Sequence, residues 1–314
     1  MGKKIVVTGV SGNLGRHAFD TLKTLVDKED LIATSSNITK IQDLADEGYE
    51  CRVANFNDRD GLVKAFTGAN TLLMVSLPQV GKKRRAMHVN AIMAAQAAGV
   101  ERIVYTSITG AQLLENAGYE IADHRFTEYL IMAMGFKYVF LRNSQYAEAM
   151  IAAVETAAKT IGVVRNNWGN GLMAQVARKD CAEAAAYAAA GDYENKAFYI
   201  SGDKLRTISE FIEVVAPAFG GGVTYEYVTD EENLCELDKM GIPRETDGEW
   251  LTEEAKNSPF CGKGMVTFGT AIRLGQMATC TNDFELLTGH PKTTLAEMAA
   301  NVADYAIGER NATD

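Results

Sequence analysis

A glycine-rich turn near the start of the chain constrains the fold more than any other segment. The apolar run Ile5–Val7 predicts a short buried strand, which is followed by glycines at positions 9, 12 and 15 and then by a helical pattern. Parallel α/β proteins hold the pyrophosphate of a dinucleotide where a strand enters a helix through such a turn. Gly9 would permit the tight turn, Gly12 would let backbone N–H groups approach the phosphates, and Gly15 would let the helix pack against the strand. The segment therefore predicts a nucleotide site.

Apolar segments alternate with helical patterns through the first half of the chain. Strands are predicted at 5–7, 31–34, 51–54, 71–75, 102–106 and 138–141, and helices at 13–26, 39–46, 59–67, 83–98 and 123–134. This alternation is typical of βαβ units, whose strands form a parallel sheet covered by helices on both faces. We therefore predict an α/β fold with a Rossmann-type doubly wound parallel sheet.

The second half of the chain is less regular and predicts a smaller lobe. It contains predicted helices at 146–159, 180–190, 207–218, 230–240 and 294–307, predicted strands at 161–164 and 197–200, and a polar segment at 243–264 that indicates a loop with at most a short helix. We predict a dinucleotide-binding Rossmann domain over residues 1–145 and a C-terminal α/β substrate lobe over residues 146–314 that does not fold independently. Their cleft is expected at the carboxyl ends of the strands.

Composition excludes several classes of function. The 314 residues carry a formal net charge of −10, which argues against nucleic acid as a partner because phosphate binding needs a basic face. The five cysteines are scattered without a C-x-x-C pair, and no two of the four histidines stand at ligand spacing, so neither a disulfide framework nor a metal site is expected. We expect no signal peptide, and the sequence contains no apolar run of membrane-spanning length. We expect a cytoplasmic protein with no membrane partner, as a monomer or homodimer.

One basic cluster stands out against this acidic background. Lys82, Lys83, Arg84 and Arg85 follow one another at the predicted start of a helix. They form either a solvated first turn of that helix or a cationic rim beside a ligand cleft.

The end of the second predicted strand bears on which cofactor fits. An acidic residue at this point would bind the ribose 2′-hydroxyl of NAD, whereas basic or hydroxyl groups suit the 2′-phosphate of NADP. This chain has no carboxylate there and offers Ser36, Asn37 and Lys40. We predict that NADP(H) is preferred and that NAD(H) is possible. Ser36 and Asn37 would also serve as caps of the next helix.

The residues that follow the third predicted strand are placed to border the adenine. Asn55 and Phe56 come directly after that strand. Asp58, two residues later, has an equally plausible role as the N-cap of the following helix.

Polar residues also follow the fourth and fifth predicted strands. Ser76 and Leu77 are expected to pass beneath the cofactor. The fifth strand ends in Tyr105, Thr106 and Ser107, whose hydroxyls are expected beside the nicotinamide.

The usual acid pair of carbonyl-reducing short-chain dehydrogenases is not evident. These enzymes place a Lys four residues after a Tyr, and the Lys lowers the pKa of the phenol. The nearest candidate here is Tyr119, and four residues later stands Asp123, whose negative charge would raise that pKa. His124 is the best remaining titratable group for a proton donor, although a single His is often structural.

Ordered motifs across nearly the whole chain carry a resemblance to a known family. They are Val7-Thr8-Gly9-Val10-Ser11-Gly12-Asn13-Leu14-Gly15, 97–107, His124 with Thr127-Glu128, Leu141-Arg142-Asn143 with Tyr146, 177–180 and 287–291. In these motifs the chain resembles the NmrA-like family of atypical short-chain dehydrogenases, and within it the quinone and triphenylmethane reductase branch.

The resemblance implies a Rossmann domain that binds NADP(H) and a small C-terminal lobe that forms the substrate cleft. Members that are reductases pass a hydride from NADPH to conjugated or aromatic acceptors such as quinones, and they lack the Tyr/Lys pair. The implied cofactor-binding residues are Gly9, Ser11, Gly12, Asn13, Leu14, Gly15, Ser36, Asn37, Lys40, Ser76 and Thr106. Asn143, Ser144 and Tyr146 are implied to line the joint between cofactor and substrate.

Two functions of different classes remain open from the sequence. The first is an NAD(P)H-dependent reductase of a conjugated or aromatic acceptor such as a quinone or enone, with His124, Tyr105 and Tyr146 as candidate catalytic residues. The second is a regulatory protein that senses the dinucleotide without turnover, as the namesake of the family does. The missing Tyr/Lys pair is compatible with both.

Overall fold

Seven parallel strands form the central sheet of this protein, whose computed structural model describes residues 4–114, 118–248, 250–258 and 260–307. These strands are Ile5–Val7 (β1), Leu31–Ser35 (β2), Glu50–Val53 (β3), Thr71–Met74 (β4), Arg102–Ile108 (β5), Lys137–Asn143 (β6) and Lys196–Ile200 (β8). Their order is β3-β2-β1-β4-β5-β6-β8, and every pair in it is parallel. The prediction of a doubly wound parallel sheet is confirmed. Because the winding reverses between β1 and β4, ligands are expected outside the carboxyl ends of these strands.

Helices cover both faces of the sheet. They are Asn13–Leu22 (α1), Gln42–Asp46 (α2), Arg59–Phe66 (α3), Lys82–Ala97 (α4), Tyr119–Ala133 (α5), Ala147–Ala158 (α6), Arg178–Ala190 (α7), Ile208–Val215 (α8), Asp230–Lys239 (α9), Glu253–Asn257 (α10), Gly262–Arg273 (α11), Asp283–Thr288 (α12) and Leu295–Ala300 (α13). Helices α1, α7 and α12 pack on one face of the sheet, and α3, α4 and α5 pack on the other. In the part of the chain that the structure describes, no helix has the length and apolarity needed to span a membrane.

The sheet explains why the strand segments are continuous apolar runs. Successive side chains of a strand point to opposite faces. Val6 and Leu72 pack against α3–α5, whereas Val7 and Leu73 pack against α1 and α7, and all four are buried. Burial on both faces removes the alternation that marks a half-exposed strand.

Part of the central sheet comes from beyond residue 145. Strand β8 pairs with β6, and helix α7 packs against α1. The proposed boundary between residues 1–145 and 146–314 stays a prediction.

The remaining elements pack around a second apolar core. Strands β7 (Val163–Asn166) and β9 (Thr224–Tyr227) form a parallel pair, and β9 was not predicted from the sequence. Helices α6, α8, α11 and α13 contribute buried side chains to this core. This group lies against the sheet on the side reached by the end of β5, where Ile108 packs on it.

The largest difference from the sequence prediction is helix α11. Its twelve residues include Gly262, Gly264 and Gly269, and glycine disfavours helices. The structure shows why two of these residues are small. A Cβ on Gly269 would lie 1.9 Å from Asn167 Oδ1, and one on Gly264 would lie 2.7 Å from Glu120 Oε1. Close packing therefore overrides the low helix propensity of glycine in α11. Helix α12 was likewise not predicted from the sequence.

The last predicted helix is shorter than expected. The segment 294–307 forms α13 and then a separate 3₁₀ turn at Val302–Tyr305. Asn301 interrupts the helix, since its side-chain amide donates to the Glu297 carbonyl and its backbone leaves helical geometry.

Candidate active site

The glycine turn closes tightly at the carboxyl end of β1. Gly9 has a φ of +65°, and its carbonyl accepts a hydrogen bond of 3.0 Å from the Gly12 N–H. A Cβ on Gly15 would lie 2.1 Å from the Gly9 oxygen, so only glycine fits there. The turn thus brings the first residues of α1 directly above the end of the strand.

The space in front of helix α1 is open to an anion. A Cβ on Gly12 would meet only the Gly9 oxygen, at 3.5 Å. The first turn of α1 contains no acidic residue, and Asn13 is exposed. The first N–H groups of a helix lack intrahelical partners and attract negative charge. These features fit the pyrophosphate of a dinucleotide.

A buried serine joins this turn to the end of β2. Ser35 Oγ lies 2.9 Å from Ser11 Oγ and 2.8 Å from the Asn37 carbonyl oxygen, and it accepts a hydrogen bond from the Asn37 N–H. Ser35 was not among the predicted site residues, although its position at the end of β2, directly before Ser36, could have indicated it.

Three residues predicted to select the cofactor lie together after β2. Ser36, Asn37 and Lys40 are all exposed. Asn37 also caps the next helical turn, because its Oδ1 accepts from the Thr39 N–H at 3.1 Å. Asn37 therefore caps the helical turn, as one of the two interpretations of the sequence predicted. The side chains of Ser36, Asn37 and Lys40 lie on the solvent side of the turn.

The residues after β3 have mixed surroundings. Asn55 is exposed and accepts from the Asn57 N–H, whereas Phe56 is buried against α3 and α4. Asp58 caps α3 through a 3.0 Å hydrogen bond from the Gly61 N–H, as its alternative role required.

Hydrogen bonds fix the loop that follows β4. The Ser76 N–H donates to Thr106 Oγ1 at 2.8 Å, and the Leu77 N–H donates to His88 Nε2 at 3.3 Å. Because Nε2 accepts, the ring proton of His88 is on Nδ1 and donates to Thr127 Oγ1 at 2.9 Å. The predicted residues Ser76, Leu77 and Thr106 are thus part of one bonded loop, and Thr106 is buried.

Buried polar atoms without partners lie at the carboxyl end of β6. Asn143 pairs in register with Ile108 of β5 and is 3% exposed. Among the described residues, the hydroxyl of Ser144 makes no hydrogen bond, and the Asn143 amide makes none of standard geometry, although it lies close enough to the Tyr146 phenol to influence its pKa. Burying such groups unpaired is unfavourable. Their position beside β5 fits the carboxamide of a nicotinamide, which offers both a donor and an acceptor.

Tyr146 stands next to this pair at the start of α6. Burial raises the pKa of its phenol, while the neighbouring Asn143 amide and the Arg178 charge oppose that rise. The Arg178 guanidinium carbon lies 5.9 Å from the Tyr146 ring centre. The phenol is therefore protonated at neutral pH.

A buried ion pair occupies the end of β5. Arg142 donates two hydrogen bonds to the Glu128 carboxylate, from Nη2 to Oε2 at 2.7 Å and from Nε to Oε1 at 3.1 Å. Glu128 Oε1 also accepts a hydrogen bond of 2.6 Å from the Ser107 hydroxyl. Arg142 further donates to the Tyr199 hydroxyl at 2.7 Å. The predicted cofactor residue Ser107 is thus bonded to α5, and Glu128 was predicted only as part of a family motif.

His124 and Tyr105 belong to a second buried cluster beneath the β4 loop. Arg84 Nη2 lies 2.8 Å from His124 Nε2, and the Tyr105 hydroxyl lies 2.9 Å from His124 Nδ1. A guanidinium only donates, so Nε2 accepts and the ring proton is on Nδ1. Both ring nitrogens are therefore engaged, and Tyr105 is fully buried.

His124 and His88 are neutral in this environment. Burial and the nearby Arg84 charge hold the pKa of each ring well below its usual value. In the unfolded chain the histidines have a pKa of about 6.5, so below that pH they bind protons that the buried rings of the folded protein do not bind. Their contribution to stability is full above pH ~6.5 and is lost as the pH falls.

We expect His124→Gln to weaken the acid sensitivity of folding. Each buried histidine should reduce the free energy of unfolding by up to about 1.4 kcal/mol per pH unit below pH ~6.5. Urea unfolding between about pH 5 and 7.5 measures this slope, with the exposed His17→Gln as control. A variant slope equal to the slope of the unmodified protein would contradict the assignment.

Comparison with known proteins places this site in a family. Residues 9–192 match the family model described as NAD(P)H-binding, which begins at the first glycine of the turn. The chain belongs to this NAD(P)H-binding family. The match spans the turn, the loop after β4, the ends of β5 and β6, and helix α7. The sequence-based prediction of this family is confirmed.

Individual relatives of this NAD(P)H-binding protein match over nearly its whole length. Quinone oxidoreductase 2 of Escherichia coli is 31% identical over 300 residues, which are 95% of this chain and 98% of the relative. A structure of an NADPH-dependent quinone oxidoreductase of that organism with NADPH has 29% identity and a TM-score of 0.84 and covers 95% of this chain and 99% of its own. The Citrobacter triphenylmethane reductase with NADP(H) has 28% identity and a TM-score of 0.78, with the same coverage.

Proposed function

We propose that this protein is an NAD(P)H-dependent reductase that transfers a hydride to a conjugated or aromatic acceptor such as a quinone or enone. One observation carries the proposal, namely the open glycine turn after β1 together with the buried polar groups of Asn143 and Ser144 at the carboxyl end of β6, on the same edge of the sheet. Relatives named as quinone and dye reductases support it.

The chain's own residues would hold NADPH in an extended pose along the carboxyl edge. Ser36, Asn37 and Lys40 would surround the 2′-phosphate, the N–H groups of Asn13 and Leu14 would face the pyrophosphate, and Asn143 would pair with the carboxamide. When bound, the cofactor supplies the hydride. The roles of these residues are part of the proposal.

The reaction would proceed without a Tyr/Lys pair. Asp123, four residues after Tyr119, accepts hydrogen bonds from the Gly81 N–H at 2.6 Å and from Arg85 at 2.5 Å. It therefore anchors α4. A conjugated acceptor takes a hydride readily, so the site mainly has to orient it. Tyr146 would orient the acceptor through its hydroxyl.

His124 would act as a positioning residue in this scheme. Its ring proton faces Tyr105 and its other nitrogen accepts from Arg84, so it has no proton directed at an acceptor. If His124 were instead the proton donor, kcat would show a group that titrates below pH ~6.5 and His124→Gln would remove it.

A dinucleotide sensor is the second candidate. The engagement of both His124 nitrogens and the burial of Tyr105 favour it, because they leave the site with few titratable groups for turnover. A sensor would bind the dinucleotide but would not oxidise NAD(P)H with any of the acceptors.

The proposal predicts NADPH oxidation by the purified protein with a conjugated acceptor. The assay compares NADPH and NADH against quinones, cationic dyes, enones and simple aldehydes. We expect turnover with a conjugated acceptor and a preference for NADPH. Dinucleotide binding without turnover across the panel would favour the sensor.

We also propose a cytoplasmic location. The cysteines at positions 51, 181, 235, 261 and 280 are all free thiols, which is typical of proteins in a reducing compartment. Fractionation of the host cell tests this.

A further inference from the structure

A buried carboxyl with only one of its oxygens hydrogen-bonded lies in the first turn of α6. Glu148 stands two residues after Tyr146 and is only 5% exposed. Its Oε1 accepts a hydrogen bond of 2.9 Å from the Arg178 N–H at the start of α7. Its Oε2 is buried and has no hydrogen-bond partner within the described residues. The bond to Oε1 satisfies one N–H of α7, but it does not explain why the second oxygen is buried unpaired at a cost in free energy.

The Glu148 carboxyl is a neighbour of the Tyr146 phenol. The Ala147 N–H between them donates to the Val176 carbonyl at 2.9 Å, which holds the start of α6 against the segment that leads into α7. The guanidinium carbon of Arg178 lies 5.9 Å from the Tyr146 ring centre, so Arg178 borders both residues. The Glu148 charge is also among the causes that raise the pKa of the phenol. The carboxyl and the phenol therefore interact electrostatically at the proposed acceptor site.

The groups around Glu148 favour its protonated form. Burial raises the pKa of Glu148, and the Asp180 charge raises it further, whereas the Arg178 charge opposes the rise. The Cys181 thiol also senses the Glu148 charge and stays protonated, because burial raises its pKa well above the usual value. Burial raises the pKa of Asp180 as well, but Thr293 engages both of its oxygens, through its N–H at 2.7 Å and its hydroxyl at 2.8 Å. Of these groups, Glu148 combines a raised proton affinity with an oxygen open to a further hydrogen bond.

The proposed reaction needs a proton as well as a hydride when the acceptor is neutral. A hydride leaves an enone as an enolate and a quinone as a hydroquinone monoanion, and each anion then takes up one proton. A carbocationic dye is neutralised by the hydride and takes up none. His124 does not supply this proton in the proposed scheme, since its ring proton faces Tyr105. The Tyr146 phenol carries a proton, but it has to be reprotonated after each turnover.

We propose that Glu148 returns to Tyr146 the proton that the phenol gives to the reduced acceptor. This inference rests on the proposed reductase function. The Tyr146 O–H bond breaks as its proton passes to the anionic acceptor, and the carboxyl proton of Glu148 then passes to the phenolate, directly or through one water. The Glu148 carboxylate regains a proton from bulk water, so each turnover adds one hydride and one proton to the acceptor. Glu148 acts through Tyr146 and does not itself contact the acceptor.

The unmodified protein provides the first test. A neutral acceptor (the quinone or enone that the acceptor panel identifies) and a cationic triarylmethane dye are each reduced under saturating NADPH in H₂O and in D₂O. We expect kcat for the neutral acceptor to fall about twofold or more in D₂O and kcat for the dye to stay nearly constant. Equal solvent isotope effects for the two acceptors, including none for either, would overturn the inference without any variant.

The pH dependence of kcat gives a second readout. Only the protonated carboxyl can supply a proton, so kcat for the neutral acceptor should fall as the pH rises through the pKa of Glu148, which burial has raised. The dye should show no such fall, and Glu148→Gln should remove the fall for the neutral acceptor. A fall that persists in Glu148→Gln would contradict the assignment.

Variants separate the proton of Glu148 from its packing. Glu148→Gln keeps an oxygen for the Arg178 N–H but has no acidic proton, so it should lower kcat for the neutral acceptor about 10- to 100-fold and leave the dye within about twofold. In a Tyr146→Phe background the same change should alter kcat by no more than about twofold, because Glu148 acts through the phenol. Asp180→Asn is the matched control, since both of its oxygens are engaged, and its ratio of neutral-acceptor to dye reduction should stay within about twofold of the unmodified protein.

The outcomes distinguish this inference from the proposed function. An equal loss of neutral-acceptor and dye reduction in folded Glu148→Gln would show a purely structural role for Glu148 and overturn the inference. If Glu148→Gln fails to fold, the solvent isotope comparison on the unmodified protein decides. Absence of any NADPH oxidation by the unmodified protein, with neutral acceptors and dyes alike, would instead refute the reductase function itself.

Discussion

Replacing Gly12 by Val should abolish dinucleotide binding while the protein stays folded. The residue has an extended backbone, with φ −94° and ψ 163°, and a Cβ there meets only the Gly9 oxygen at 3.5 Å. The valine methyl groups would instead fill the space in front of α1, where phosphates approach the helix. We expect at least a 100-fold loss of NADPH affinity, about 2.7 kcal/mol, in a fluorescence titration.

Two further glycine variants serve as controls for this result. Gly15→Ala places a Cβ 2.1 Å from the Gly9 oxygen, so it should destabilise the fold by about 3 kcal/mol or more. Gly12→Ala should weaken NADPH binding less than Gly12→Val. Unchanged NADPH affinity in folded Gly12→Val would refute the phosphate site.

Removing the carboxylate of Glu128 should cause the largest loss of stability expected from one side chain at this site. Glu128 is 1% exposed and pairs with Arg142, which is itself largely buried. Glu128→Ala leaves the Arg142 cation buried without its counter-ion and frees the Ser107 hydroxyl. We expect the free energy of unfolding to fall by about 3–5 kcal/mol in urea titrations.

An exposed pair provides the matched comparison. Glu155 and Lys159 form an ion pair one turn apart on the surface of α6. Glu155→Ala should change the free energy of unfolding by about 0.5 kcal/mol or less. Similar losses for the two glutamates would contradict the view that burial makes the Glu128 pair essential.

Features set by neighbouring residues were predictable from the sequence. The Gly9–Gly15 turn, the central strands and the cap of α3 by Asp58 each depend on residues a few positions apart, and the structure contains all of them. Backbone sterics and local hydrogen bonds act over such short separations, so the pattern is visible in the linear chain.

Features set by distant residues required the tertiary structure. A run of four basic residues does not reveal which member is buried, and Arg84 is selected only because His124 and Tyr105 meet it from α5 and β5. Helix α11 contradicts glycine propensity because Asn167 and Glu120 approach it closely. The unpartnered state of Asn143 likewise depends on what the fold packs around it.

The sequence by itself therefore determined the parallel sheet, its nucleotide turn and the family. Only the tertiary structure decided the charge and hydrogen-bond state of the buried groups near the loop that follows β4. The physical reason is that burial sets these states, since desolvation and partners far apart in the chain control the protonation of His124 and the hydrogen bonds of Arg84.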